Sequence, residues 1–301
     1  MSRSFALVML LALLWGAGFP LTKVAVETIP PLTVAAVRAL LGGLLLLAVL
    51  GPRAAATWEA ATRRGGFLVQ ATFTCVIPWT LVAWATRTID AGLATILNSL
   101  SPIFIFVLTW AITRHEPATP RKFVGVLFGL SGVIAIIGMN ALSGVGTHTM
   151  AELACVAGSL SYAVAAIVGR RYDRLPPLVP AAGAALTGAA ILVPLALAVE
   201  GLPLQPSARS MLAVLGLAVF STGAAFVVYF RLLSTIGSIA TASQAYLRIV
   251  IGVGLSVAFL DEQLTASLVA GLALVVAGVA AMTLPRRAPQ KSASSPGGPP
   301  A

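Results

Sequence analysis

Apolar segments separated by short polar stretches follow one another along the chain. Ten of them are about 18 to 23 residues long, which lets a helix cross a hydrocarbon core of about 30 Å. The pattern therefore predicts an all-α integral membrane protein with ten transmembrane helices. The predicted spans are Phe5 to Val24, Thr33 to Leu50, Phe67 to Thr86, Ala91 to Ile112, Phe123 to Asn140, Ala151 to Gly169, Val179 to Val199, Met211 to Leu233, Ile239 to Leu260 and Ala266 to Leu284.

The second half of the chain repeats the first at a constant offset of 146 residues, as from Thr95 to Thr241. The offset aligns polar, turn and glycine positions together, which indicates a duplication rather than a chance alignment of alanine- and leucine-rich helices. We expect two five-helix repeats over residues 5–140 and 151–284, and a disordered cytoplasmic tail over 285–301. The other matched pairs include Asn98 with Gln244, Glu116 with Glu262, Thr119 with Thr265, Gly125 with Gly271 and Gly132 with Gly278.

Lys and Arg residues are distributed unequally between the two sides of the membrane. Of the 19, 14 fall on the side of the N-terminus and 3 on the other, while Arg38 and Arg248 lie within spans. The positive-inside rule then places both termini in the cytoplasm of a multi-pass plasma (inner) membrane protein. Because each repeat has an odd number of helices, the second must be inverted relative to the first, as in many transporters.

Composition excludes several function classes. Charged residues are only 9% of the chain and hydrophobic residues 58%, which excludes an ordinary soluble domain. The net charge of +10 comes from short basic runs between spans, and this favours membrane orientation over nucleic-acid binding. Cys75 and Cys155 lie in apolar segments without metal-type spacing, so we interpret them as small buried hydrophobes.

All nine acids fall at or near the ends of predicted spans, and both histidines fall in loops. A membrane-embedded hydrolase would need a nucleophile with a base, or a metal cluster, so we predict neither an enzyme nor a cofactor. The same pattern argues against a proton relay built from buried acids. Facilitated diffusion, exchange and coupling through the substrate's own charge all stay open.

Short motifs recur in the same order in both halves, and Trp15-Gly16 in the first span precedes Arg38 in the second. They are Ala91-Gly92, Leu100-Ser101-Pro102, Glu116-Pro117-Ala118-Thr119 and Gly125 with Gly132, echoed by Asp261-Glu262-Gln263-Leu264-Thr265 and Gly271 with Gly278. Up to the tail, the whole chain resembles the EamA domain of the drug/metabolite transporter superfamily. The resemblance implies a ten-helix carrier of small metabolites, often an exporter of amino acids or related compounds, with a central cavity. One departure is Arg248 at a position where the family often has proline, as at Pro102.

Arg248 is the strongest candidate for a substrate ligand. It lies about nine residues into the predicted ninth span, or about 14 Å deep at 1.5 Å per residue. A cation there costs at least about 2.5 kcal/mol unless it faces a cavity or a partner; the alternative role is a structural partner for backbone carbonyls. Arg38 is predicted to lie nearer the external end of its helix, where it can extend to the interface, so a structural role is favoured.

Other polar and aromatic residues complete the predicted site. Gln244 shares a helix face with Arg248, and its counterpart Asn98 occupies the equivalent face of the first repeat. The two faces are expected to meet across a central cavity, unless the amides simply hold neighbouring helices together. Three aromatic residues lie about halfway through their spans and could line the cavity or pack between helices: Trp15, Trp79 and Tyr162.

Proline and glycine positions predict irregular helices and close packing. Pro78 and Pro102 should kink the third and fourth helices and free carbonyls that a neighbour must satisfy, and the segment from Trp15 to Pro20 should weaken the first. Glycines on the fifth and tenth helices form small-residue faces, either for packing within the protomer or for a homodimer. Glu116 and Glu262 are expected to cap the starts of these two helices.

These observations together predict a membrane transporter embedded in the lipid bilayer. It would move a small-molecule substrate, an amino acid or a related compound that the cell exports, by alternating access through a central cavity. The alternative is a membrane scaffold or assembly factor that transports nothing.

Overall fold

The computed structural model describes residues 3–62, 66–113, 120–142, 148–172, 174–201, 205–242 and 244–283. Within these ranges the regular elements are helices, and no strand is present. The α-helices are α1 (Arg3–Gly16), α2 (Gly18–Ala25), α3 (Pro31–Leu50), α4 (Ala54–Thr62), α5 (Leu68–Ala71), α6 (Ile77–Ala85), α7 (Ala91–Asn98), α8 (Ser101–Leu108), α9 (Pro120–Leu142), α10 (Thr149–Gly169), α11 (Leu178–Val199), α12 (Ala208–Gly216), α13 (Ala225–Ala242), α14 (Gln244–Leu260) and α15 (Ala266–Thr283).

Seven helical stretches are long and apolar enough to cross a membrane, which confirms an all-helical, multi-pass membrane protein. Three further apolar helical stretches are shorter and fall on the predicted fifth, ninth and tenth spans, so a total of ten crossings stays a prediction. The seven long stretches are Ser4–Ala25, Pro31–Leu50, Leu68–Ala85, Ala91–Ala111, Thr149–Tyr172, Leu178–Val199 and Ala208–Leu232, and the shorter ones are Phe123–Gly132, Leu247–Leu260 and Ala266–Gly278.

The boundary between the predicted eighth and ninth spans was placed wrongly. The prediction ended one span at Leu233 and began the next at Ile239, whereas α13 is continuous to Ala242 and α14 begins at Gln244. The Thr235 hydroxyl donates to the carbonyl of Arg231 at 2.8 Å, and this local bond lets a polar residue continue the helix. Arg248 therefore lies four residues after the first residue of its helix, not nine.

The first, third and fourth spans contain the irregularities that their prolines and glycines predict, and the eighth contains one that was not predicted. The first is interrupted at Ala17, between α1 and α2, and the fourth at the turn between α7 and α8. The third and the eighth each contain a wider, π-helical turn, at Thr72–Val76 and Leu217–Ala224. Residue 72 plus the offset of 146 is 218, so these two wide turns occupy equivalent positions in the duplicated sequence.

Serine side chains of α10 bind the carbonyls near the two kinks. The Ser161 hydroxyl donates to the Phe73 carbonyl at 2.9 Å, in the turn before Pro78. The Ser159 hydroxyl donates to the Leu97 carbonyl at 2.7 Å, in the turn before Pro102. The carbonyl that Pro102 leaves without a helical donor is that of Asn98, and it accepts from the Ser101 hydroxyl of the same span at 2.9 Å. The two serines bind α10 to both irregular helices near their kinks.

Glycines bring α9 and α15 into backbone contact. A Cβ added to Gly278 would lie 2.6 Å from the Gly125 carbonyl oxygen, which is closer than real Cβ atoms approach. Gly125 and Gly271 are equivalent positions, as are Gly132 and Gly278, so matching faces of the two helices pack on each other. These glycines therefore serve packing within the protomer, and a homodimer has to rest on another surface.

Two carboxylates cap helices of the other half of the chain. Glu262 accepts hydrogen bonds from the backbone N–H groups of Ala91 at 2.6 Å and Gly92 at 2.9 Å, at the start of α7. Glu200 accepts from the N–H groups of Leu32 and Thr33, both at 2.9 Å, at the start of α3. The prediction that Glu262 caps its own following helix is thus wrong, because α7 presents free N–H groups nearer to it. Glu116 lies outside the described residues.

Candidate functional site

Four side chains from four helices form a polar and aromatic group within the membrane spans, here called the central cluster. It consists of Arg38 on α3, Trp79 on α6, Tyr162 on α10 and Arg248 on α14. Trp79 is buried, whereas the other three are only partly buried although they lie inside helical spans. Because a guanidinium group facing lipid is costly, each arginine here needs a partner in the protein or a ligand.

Arg38 is held by two partners. Its guanidinium carbon lies 4.2 Å from the centre of the Trp79 ring, a cation–π geometry. Its Nε donates to the Thr222 hydroxyl at 3.0 Å. Thr222 belongs to the wide turn Leu217–Ala224, so an irregular helix presents this acceptor. Among the described residues, neither terminal nitrogen of Arg38 has a hydrogen-bond partner.

The prediction for Arg38 has to be corrected. It lies seven residues after the start of α3, about 10 Å along the helix axis, and its side chain reaches Trp79 instead of extending to the external interface. The indole face and the Thr222 hydroxyl stabilise the guanidinium inside the bundle, which removes the need to reach water. Depth counted along one helix could not show that this partner lies on α6.

Tyr162 lies between the two arginines. The charges of both guanidinium groups act electrostatically on its phenol. Trp79 and Tyr162 also pack in one apolar cluster with small residues of α3 and α11. The structure therefore places Arg38, Trp79 and Tyr162 in contact, and Arg248 acts on Tyr162 through its charge.

Arg248 has an unused hydrogen-bonding group inside the protein. Its Nε is buried without a partner, and the side chain makes no hydrogen bond or ion pair within the described ranges. Its backbone carbonyl lies 3.1 Å from the position of a Cβ built on Gly16, so α1 holds this part of α14 closely. A buried N–H group without a partner is costly, and an anionic ligand would supply the missing acceptor.

The two equivalent amides are also buried with unpaired atoms. Asn98 leaves Nδ2 without a partner, and Gln244 leaves Oε1 without one. Asn98 Nδ2 lies 3.7 Å from the position of a Cβ built on Gly158, one helical turn from Tyr162 on α10. Gln244 lies one turn before Arg248 on α14. Gln244 thus lies one turn from Arg248 on the same helix, and Asn98 contacts α10 one turn from Tyr162. Both amides keep an unpaired hydrogen-bonding atom.

Trp15 is not part of this group. Its ring packs against Phe226 at a centroid distance of 6.2 Å and against Tyr229 at 5.3 Å. These contacts fill an apolar cluster between α1 and α13. The packing alternative therefore describes the observed contacts of Trp15 better than a place in the site.

The described carboxylates lie away from the central cluster. Glu27 pairs with Arg209 at 3.9 Å, while Glu200 and Glu262 cap helices. Glu152 lies in the first turn of α10, near the end of its span as predicted, but it is fully buried and adjoins Cys155. Among the residues searched, none form a group of three or more His, Cys, Asp or Glu that could hold a metal.

The duplicated sequence contains a signal for the whole central cluster. Subtracting or adding 146 takes each of its members to a small or apolar residue of the other repeat. Arg38 corresponds to Ala184, Trp79 to Ala225, Tyr162 to Gly16 and Arg248 to Pro102. A comparison of the repeats for differences, instead of matches, would have found Arg38.

Comparison with known proteins gives full-length matches. A model described as the EamA-like transporter family matches residues 3–138 and 149–284. The uncharacterized transporter YvbV of Bacillus subtilis (strain 168) is 27% identical over 302 residues, which cover 97% of this chain and 95% of YvbV. The uncharacterized inner membrane transporter YedA of Escherichia coli (strain K12) is 27% identical over 284 residues, or 93% of this chain and 90% of YedA. A solved crystal structure shares the fold, with a TM-score of 0.67, 21% identity, and coverage of 94% of this chain and 97% of its own.

Proposed function

Because this chain belongs to the EamA-like transporter family, we propose that it exports a small metabolite, an amino acid or a related compound, across the plasma (inner) membrane. Membrane transport itself is indicated by the family and by the relatives' names. The observation that carries the substrate site is the buried Nε of Arg248, which has no hydrogen-bond partner among the described residues. Inner-membrane location agrees with the name of YedA.

The proposed architecture is ten helices in two inverted repeats, residues 5–140 and 151–284, with both termini and the tail 285–301 in the cytoplasm. The constant offset, the equivalent wide turns and the paired glycine faces support the repeats. The bias of Lys and Arg supports the orientation. Substrate sites of such carriers lie between the repeats near the membrane midplane, and the central cluster draws two helices from each proposed repeat.

In the proposed mechanism Arg248 binds an anionic group of the substrate. Its planar fork can form two parallel charge-assisted hydrogen bonds to a carboxylate. Asn98 and Gln244 orient the rest of the substrate, and the rings of Trp79 and Tyr162 form one wall. The substrate would compensate a cationic site that the described residues leave without an anion.

Among the described residues, most hydrogen bonds between the two proposed repeats lie at one end of the helices, although the Tyr172 hydroxyl donates to the Gly66 carbonyl at the other end. The former include the caps made by Glu200 and Glu262, and the bond from the Ser210 hydroxyl to the Val24 carbonyl at 2.8 Å. All of these residues fall at the external ends of the predicted spans. We therefore assign this conformation as closed to the outside, and export requires these bonds to break and re-form in each cycle.

Counterflow of labelled metabolites in proteoliposomes tests the proposed function. Arg248→Ala should lower apparent affinity by about 10- to 100-fold, because a charge-assisted hydrogen bond is lost. Arg248→Lys should weaken binding less, since it keeps the charge but loses the planar fork. The matched control is Arg87→Ala, an exposed arginine outside the cluster, which should transport normally.

Two outcomes would contradict the proposal. Native transport and affinity in a folded Arg248→Ala variant would remove Arg248 from the site. Absence of any exchange by the folded native protein across the metabolite panel would favour the scaffold or assembly factor instead.

A further inference from the structure

Resting on the proposed function, we infer that a single carboxylate of the substrate is bound from both repeats at once, by the guanidinium of Arg248 and by the side-chain amide of Asn98. Such a bridge joins ligand binding to the contact between α7 and α14, which belong to different proposed repeats. It also defines the substrate class as organic carboxylates, because a compound without this group leaves both donors unpaired.

The packing of α7 against α14 sets the relative level of their residues. A Cβ added to Gly92 would lie 3.6 Å from the Ser256 Cβ, and a Cβ added to Gly252 would lie 2.7 Å from the Thr95 Cγ2. A step forward along α7 from Gly92 to Thr95 thus corresponds to a step back along α14 from Ser256 to Gly252. The two helices are therefore antiparallel and in close contact at this level.

Asn98 and Arg248 each follow one turn beyond the contact of Thr95 with Gly252, in the same direction. At 1.5 Å per residue, Asn98 lies about 4.5 Å past Thr95 and Arg248 about 6 Å past Gly252. At 3.6 residues per turn, Asn98 is rotated by about 60° from Thr95 and Arg248 by about 40° from Gly252. Because the helices are antiparallel, both rotations turn toward the same side of the contact. The two residues therefore share one level and one side of the α7–α14 pair.

Both residues have a hydrogen-bond donor without a partner. Asn98 is 3% exposed, and neither its Nδ2 nor the buried Nε of Arg248 has a partner among the described residues. The N–H groups of these atoms donate and cannot accept, so they cannot satisfy each other. A carboxylate has two oxygens that accept from both sides, and it would pair with both donors. The Oδ1 of Asn98 stays available to orient the rest of the substrate.

The surroundings of Asn98 favour a ligand over a role in holding helices together. Its Nδ2 and the Pro78 Cα each lie 3.7 Å from the position of a Cβ built on Gly158. The amide is thus beside α6 and α10, whose Trp79 and Tyr162 pack in one cluster. An amide that joined these helices would donate to one of them, whereas this Nδ2 has no partner there.

Asn98→Asp tests the shared position without any ligand. Aspartate has the shape of asparagine and supplies the carboxylate of the proposed bridge. It should pair with Arg248 and raise the midpoint of thermal unfolding of the purified protein by at least about 2 °C. The matched control is the same change in an Arg248→Gln background, where the new carboxylate has no cation and should lower the midpoint.

Calorimetry of the purified protein tests the ligand. The probes are leucine, isocaproate and leucinol, which share one side chain and carry a carboxylate with an ammonium, a carboxylate alone and an ammonium alone. Leucine or isocaproate should bind at least about 10-fold more tightly than leucinol, and Asn98→Asp should lose this binding.

A double-mutant cycle tests whether the two residues bind one group. Asn98→Ala and Arg248→Ala should each weaken the tighter carboxylate by about 10-fold or more. The double variant should lose less than the product of the two losses, because residues that share a ligand group are not independent. This cycle decides the question alone if Asn98→Asp does not fold.

The outcomes separate the inference from the proposed function. An equal change of the unfolding midpoint by Asn98→Asp in both backgrounds, or losses that multiply in the double variant, would overturn the shared carboxylate and leave metabolite exchange untouched. Leucinol binding as tightly as leucine and isocaproate would overturn the substrate class. Absence of any binding or exchange by the folded native protein would overturn the proposed function, even if Asn98→Asp pairs with Arg248.

Discussion

Replacing Glu262 with glutamine should open the end of the protein that we assign as external. The carboxylate accepts the Ala91 N–H at 2.6 Å and the Gly92 N–H at 2.9 Å, and it joins the two proposed repeats. A glutamine keeps one acceptor oxygen but turns its NH2 group toward the other N–H, which loses its partner. Leaving one backbone donor unpaired costs about 1 to 3 kcal/mol.

The size of the shift follows from that cost. Glu262 is partly exposed, so water compensates part of the loss and about 2 kcal/mol is a reasonable middle value. This changes the ratio of closed to open states by about 30-fold. Asp261→Asn is the matched control, because Asp261 is exposed and has a φ of 54°, a conformation that asparagine also tolerates.

Cysteine labelling measures the opening. Ser256 is fully buried, and its Cβ lies 3.6 Å from the position of a Cβ built on Gly92, directly behind the capped helix start. In proteoliposomes, a Ser256→Cys thiol should react with an impermeant maleimide up to about 30-fold faster when Glu262→Gln is added. Protein without the new cysteine corrects for Cys75 and Cys155, both buried.

An unchanged labelling rate in the folded double variant would refute the reasoning. It would mean that the cap stabilises α7 without holding the external end closed. A similar acceleration by Asp261→Asn would refute it equally, because that change leaves both hydrogen bonds of Glu262 intact.

Three further predictions concern packing, topology and coupling. Gly278→Ala should lower the free energy of unfolding by about 1 to 3 kcal/mol, because the added Cβ would meet the Gly125 carbonyl. Gly254 has open space around it, so Gly254→Ala should leave the free energy of unfolding unchanged. Thermal unfolding compares the two variants. Impermeant labels should reach cysteines placed at residues 144–148 only from outside and at residues 63–65 only from the cytoplasm, and labelling of both from one side would end the inverted-repeat proposal. Transport should persist without a pH gradient, because the described carboxylates bond elsewhere or lie at span ends; strict dependence on a proton gradient would direct attention to the buried Glu152.

Local rules predicted irregular features of the first, third and fourth spans, but not the wide turn of the eighth. Pro78 and Pro102 lack the N–H that a helix needs, so kinks near them followed from the sequence, and α10 supplies the serines that bind the nearby carbonyls. The boundary before Gln244 was missed for an equally local reason. A threonine can bond back to its own helix, and composition alone does not show whether it does so or begins a loop.

Contacts between helices were harder to predict. Trp15, Trp79 and Tyr162 all lie about halfway through their spans, yet only two of them join the central cluster, because depth does not specify which neighbour a side chain faces. Arg38 was undervalued for the same reason, since its partners Trp79 and Thr222 belong to helices distant in sequence. Glu262 was assigned to the nearest helix start in sequence, although the start of α7 lies nearer in space.

The repeats are alike in their framework and different in their central cluster, and the proposed mechanism requires both properties. Wide turns, paired glycines and the amides of Asn98 and Gln244 recur at the offset of 146 residues, so each half can adopt the conformation of the other at similar free energy, which alternating access needs. A ligand between the halves is bound once, so duplicated arginines would add uncompensated charge instead of affinity. Placing arginine at the buried Ala184, which corresponds to Arg38, should therefore destabilise the protein and not create a second site. An Ala184→Arg variant with native thermal stability would contradict this view.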